Sequence, residues 1–177
     1  MKPVVTSFSP LARLLHWLMA LLILAMLFIG VGMVSSLSPW QPQLVAIHKP
    51  LGLLLLGLLV LRIIVRLRQP IPALPADMPG WQQRMAQLSH VLLYLLMLAL
   101  PLLGWAMQGA AGYPLRLGSW LLPAIAPQDA DLYALLRGAH GYLAYVLFAC
   151  VLLHLAAGLF HGLIRRDGVL ASMLRKS

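Results

Sequence analysis

The stretch His140–Gly–Tyr–Leu–Ala–Tyr–Val–Leu–Phe–Ala–Cys–Val–Leu–Leu–His154 decides how this chain is read. Two histidines stand fourteen residues apart, and everything between them is apolar or aromatic apart from Gly141. On an α-helix fourteen residues turn through about 1400°, close to four turns, so both imidazoles leave nearly the same face. They lie roughly 21 Å apart along the axis, most of the ~30 Å hydrocarbon thickness of a bilayer. One helix with metal-ligating side chains at two depths implies two stacked cofactors and an electron path between them.

Composition puts that helix in lipid. The 177 residues are 62% hydrophobic and only 10% charged, and none is glutamate. A soluble domain carries about 25% charged residues. The length suits one domain, residues 1–177, and its apolar runs suffice for four spans. A net charge of +9 could suit nucleic acid. The basic residues cluster at the ends of apolar runs, however, so topology accounts for them and no nucleic-acid partner is expected. Cys150 is the single cysteine and lies mid-span, so no intrachain disulfide forms. The first apolar run lacks a small-residue cleavage site and reads as a retained span, not a signal peptide.

The expected fold is an all-α membrane protein, a four-helix transmembrane bundle. Its spans are predicted at about 11–34, 44–67, 84–108 and 136–163. Pro39 and Pro42 hold the first loop open, and Pro70, Pro72, Pro75 and Pro79 make residues 68–80 a linker. Pro101 falls inside the third span, where neighbouring helices or water can satisfy the freed carbonyl. Residues 109–135 form the longest loop, with Tyr113, Arg116, Trp120, Asp129 and Asp131, and a basic tail follows the fourth span. Placing the N-terminus inside puts ten of the thirteen cations on the inner side, leaving Lys49, Arg116 and Arg137 outside. Both termini are therefore expected in the cytoplasm.

That topology fixes the depth of each histidine. His48 and His140 open their spans at the outer side, whereas His16 and His154 lie toward the inner side with His90 and His161. Ionisable side chains within spans are costly and are functional candidates by default. A proton or cation channel would need embedded carboxylates, and there are none. Imidazoles from facing helices instead suit the axial positions of a b-type haem iron already held by its porphyrin. The outer pair is His48 with His140, and the inner pair His16 with His154. A single interfacial histidine is more often a headgroup-level anchor, but two depth-matched pairs sharing one helix are not explained that way. His90 could replace His16 as inner ligand, and His161 is left out as interfacial. Gly52, Gly141 and Gly158 flank the ligands and would let a flat macrocycle, or simply a neighbouring helix, come close.

The chain resembles the bacterial cytochrome b561 family, and within it the small dihaem, quinone-linked superoxide oxidases. The resemblance rests on Arg13–Leu–Leu–His16–Trp17, Ile47–His48 with Gly52, and Arg62–Ile–Ile–Val–Arg66. It also rests on Ser89–His90–Val–Leu–Leu–Tyr94 with Leu100–Pro101–Leu–Leu–Gly104, on His140–Gly141 and Leu153–His154, and on a terminal Asp167–Gly168–Val–Leu segment. It implies two b haems on the histidines matching His16, His48, His140 and His154. It implies also that superoxide gives an electron at the outer, periplasmic face of the bacterial inner membrane and ubiquinone accepts at the inner one. Lys49, Arg116 and Arg137 are then candidates to attract superoxide, with haem propionate pairing as a compatible role. His90, Trp81, Arg84 and Trp17 are candidates for the quinone site, although tryptophans at this depth are commonly belt residues. The competing reading is a cytochrome b subunit that links a periplasmic dehydrogenase, or another protein donor, to the quinone pool. A structural or transport bundle would leave the histidine register unexplained.

Overall fold

The computed structural model describes residues 7–35, 39–75, 77–113 and 115–174. Four helices are long and apolar enough to cross a bilayer: α1 (Pro10–Ser35), α2 (Gln41–Arg68), α3 (Gly80–Ala110) and α4 (Ala130–Leu159). A π-helical segment, Phe160–Arg165, prolongs the fourth. In hydrocarbon every backbone N–H and C=O must be satisfied within the chain, which is why unbroken apolar runs become helices.

Helix boundaries differ from the sequence expectation where local chemistry outweighs hydropathy. α2 begins at Gln41 and takes Pro42 into its first turn, where a missing N–H forfeits no helical bond. α3 begins at Gly80, immediately after Pro79. The largest difference is α4, which starts at Ala130 rather than near 136. Asp129 is extended (φ −160°), and its carboxylate accepts from the Leu132 N–H at 2.7 Å. It is therefore an N-cap, with Asp131 in the favourable first turn, and not a loop acid. The expected long loop shrinks to residues 111–129. It carries an antiparallel hairpin, β1 (Arg116–Leu117) and β2 (Trp120–Leu121), turned by Gly118 at φ 61°.

The core is a column of Met19, Ile23 and Leu27 from α1, Leu55 and Leu59 from α2, Leu93, Leu96 and Leu100 from α3, and Leu147 from α4. Lipid tails are as apolar as leucine, so close packing rather than water exclusion holds this column together. α1 packs along α2, α3 along α4, and α2 joins the two pairs through α3, whereas α4 makes sparse direct contact with α1 and α2.

The basic tail is not free. After Arg166 in the left-handed region (φ 54°), the chain folds back into a short α5 (Ala171–Leu174). The Phe8 N–H donates to the Ser172 carbonyl at 3.1 Å, and the Trp17 indole donates to Met173 at 3.0 Å. Arg165 reaches Asp77 at 2.9 Å, and His161 contacts Asp167 at 2.5 Å. His161 thus has a carboxylate partner.

Candidate functional site

The structure brings the histidines together in the pairs expected from depth. The His48 and His140 ring centroids are 6.1 Å apart, and those of His16 and His154 are 6.2 Å apart. A ligating imidazole nitrogen sits about 2 Å from its metal, so two rings on opposite sides of one ion have centroids roughly 6.3 Å apart. Both pairs match. His90 also faces His154, but at 5.4 Å, closer than rings sharing an ion would be. Among the described residues no group of three or more His, Cys, Asp or Glu could hold a bare metal ion. Two ligands suffice only for an iron whose other positions a macrocycle fills. The pairs, moreover, face each other between α4 and α1 and between α4 and α2, the helices that do not pack closely.

The fourteen-residue register of α4 recurs in every span. α1 carries His16 and Gly30, α2 carries His48 and Arg62, and α3 carries His90 and Gly104. A Cβ on Gly30 would meet His48 Cε1 at 3.8 Å, and one on Gly104 would meet His140 Cε1 at 3.4 Å. These two glycines clear the space beside the outer rings. Of the glycines singled out by sequence, Gly52 is filled by Met26 Cε at 3.7 Å, and a Cβ on Gly141 or Gly158 would meet nothing within 4 Å. Helix contact therefore does not account for Gly141 and Gly158. Halfway between the layers lie Ile23, Leu55 and Leu147, all buried, with Met97 packed against them.

Arg62 completes the inner layer. Its Nη2 lies 3.1 Å from His16 Nδ1, its Nε donates to the Tyr94 hydroxyl at 3.2 Å, and its Nη1 is buried without a partner. A guanidinium within a membrane span is costly, and such residues mark functional sites. Sequence reading treats Arg62 as a topological cation. Its fourteen-residue distance from His48 is the signal that places it beside the histidines.

The residues proposed for quinone separate into two groups. Trp17 stands edge-on to His16 at 5.2 Å, and with Pro10, Arg13, Met173 and Leu174 it lines an open groove of about 440 Å³. His90 lies against His154. Trp81, 66% exposed, and Arg84, also exposed, make no hydrogen bond, ion pair or ring contact with this histidine cluster. At the His48–His140 end Lys49 follows His48 on α2, Arg137 lies three residues before His140 on α4, and Arg116 sits on the hairpin. Among the described residues none of these three side chains has a hydrogen-bond or ion-pair partner.

These features define a membrane-embedded four-helix bundle that carries facing imidazoles in two layers. The family model described as prokaryotic cytochrome b561 matches residues 7–176, and the chain belongs to that family. Cytochrome b561 homolog 2 of Escherichia coli (strain K12) is 32% identical over 166 residues, covering 92% of this chain and 88% of the relative. Cytochrome b561 homolog 1 of the same strain is 30% identical over 176 residues, covering 94% and 96%. The probable superoxide oxidase CybB of Yersinia pestis is 30% identical over 163 residues, covering 92% of each chain. Membership makes the protein a multi-pass component of the prokaryotic inner membrane that works in electron transfer with b-type haem.

Proposed function

We propose that this protein is a dihaem superoxide:ubiquinone oxidoreductase, in which His48 and His140 would hold an outer haem and His16 and His154 an inner one. The observation that carries this reading is the pair of equal centroid separations, 6.1 and 6.2 Å, at the two ends of one fourteen-residue register. Both termini lie in the cytoplasm. When bound, the haems supply one-electron redox chemistry and a path between the faces.

The residues supply the rest. Lys49 and Arg137, with Arg116 on the hairpin, draw superoxide to the periplasmic end. Two superoxide anions each give up one electron and leave as dioxygen. Ubiquinone at the cytoplasmic end takes both electrons and two cytoplasmic protons to become the quinol. Trp17 offers the quinone ring a flat apolar face beside His16, with Arg13 at the mouth of the groove. His90, which lies against His154 and not in the groove lining, is the proposed proton donor to a quinone carbonyl, and Trp81 and Arg84 bear on quinone only from outside this cluster. Stopped-flow mixing of the purified protein with superoxide tests the reading. Reduction of haem no faster than in His48→Ala rejects the oxidase.

One observation favours a protein donor instead. The hairpin presents Leu117, Trp120 and Leu121 to solvent, Trp120 being 76% exposed. Failure with superoxide combined with rapid reduction by a periplasmic dehydrogenase would select that reading.

A further inference from the structure

Four helices contribute one residue each to the inner layer: His16, Arg62, His90 and His154. Three are neutral-capable imidazoles, and the fourth is a permanent cation. Arg62 is therefore the group that sets the local field. Its guanidinium touches His16 at 3.1 Å and is steadied by Tyr94, and among the described residues no acid pairs with it. Arg66, one turn further on, stacks over the Phe8 ring at 5.3 Å and adds charge on the same side. The outer layer has no counterpart. There α1 and α3 contribute Gly30 and Gly104, and His48 Nδ1 is buried without a partner. The nearby outer cations sit on exposed or half-exposed positions, where water screens them. Arg62 is itself half-buried, but its Nη1 is enclosed and its guanidinium lies within hydrogen-bond distance of His16, so less water stands between this charge and the histidines.

We propose that Arg62 is a positioning residue for the electron: its positive charge, in contact with His16, raises the reduction potential at the His16–His154 layer above that at the His48–His140 layer. An added electron is stabilised by a contacting cation, and only one layer has one within the bundle. The inward direction of transfer is thereby built into α2, by an arginine that occupies the register position where α4 carries its second histidine. The inference rests on the dihaem reading proposed above.

An equilibrium redox titration of the purified holoprotein, followed in the haem absorption bands, tests it. The wild type is expected to titrate in two waves, and the wave that survives in His48→Ala belongs to the inner layer. Arg62→Gln is expected to shift that wave to lower potential and leave the other in place. Arg62→Lys, which keeps a charge near the same depth, is expected to hold the wave close to wild type. Should the glutamine variant lose its inner haem, Arg62→Met, which keeps a long unbranched side chain without the charge, is titrated in its place and the same fall is expected. No shift in Arg62→Gln, an equal shift of both waves, or a fall in Arg62→Lys as large as that in Arg62→Gln overturns the inference. Wild-type protein without haem would instead sink the dihaem reading itself.

Discussion

His16 and His90 both turn toward His154, and the difference between 6.2 and 5.4 Å assigns them different work. His16→Ala is expected to halve the haem content of the purified protein, read from the ratio of the haem band to protein absorbance. His90→Ala should keep both haems but slow their reoxidation by ubiquinone on the order of 100-fold, the usual size of a lost proton-transfer group. Full retention of the reoxidation rate would remove His90 from the quinone reaction. The glycines argue at the same scale. Gly104→Val places branched carbon where even a Cβ lies 3.4 Å from His140. It should weaken haem retention at the outer layer by about 10- to 100-fold, the effect expected when a ligand's supporting contacts are disturbed. Gly57→Ala, which meets nothing within 4 Å, should leave haem content unchanged and stabilise α2 by up to about 1 kcal/mol.

At the scale of elements, the ends of α4 are where specific side chains rather than hydropathy decide the structure. Asp129→Ala removes the cap that starts the helix six residues before its apolar run, and should cost about 1 kcal/mol, measured as a lower Tm of the detergent-solubilised protein. At the other end Asp167 joins His161, Arg165 and the Val169 N–H. Burial works to raise its carboxyl. The hydrogen bonds from His161 and Val169, with the charges of His161 and Arg165, outweigh that and hold it below the ordinary carboxylate value. A depressed carboxyl contributes stability that is complete above its unfolded value and is lost as pH falls through the folded one. The fold-back of α5 should therefore withstand limited proteolysis at neutral pH and open under acid conditions below about pH 4. Asp167→Asn should open it already at neutral pH.

These same elements show what can be read in the chain beforehand. The four spans and the two histidine pairs are legible because hydropathy and a 3.6-residue period act over whole helices. The start of α4 and the π-helical end are not, since each hangs on one or two hydrogen bonds that a hydropathy window averages away. Arg62 is hidden for another reason. Near the end of an apolar run an arginine reads as topology, and only the packing of α2 against α1 and α3 turns it onto His16 and Tyr94.

For the whole molecule the decisive quantity is how charge is divided between its two faces. Ten of thirteen cations belong to the inner side of the expected topology, so under the proposed function the outer face attracts its small anion with three. Lys49 and Arg137 flank the outer histidine pair, and neither is neutralised by a neighbouring acid among the described residues. At physiological ionic strength fields are screened within about 8 Å, so only charges beside the exposed end of the pair can steer. Arg116, out on the hairpin, should matter less than the other two. Lys49→Gln combined with Arg137→Gln is expected to lower the second-order rate of haem reduction by superoxide about tenfold or more at low salt, and to flatten its dependence on ionic strength. The rate of haem reoxidation by quinone at the opposite face should not change. If the double variant keeps both the rate and the salt slope of the wild type, these cations serve only to pair haem propionates, and the anion must arrive without electrostatic guidance.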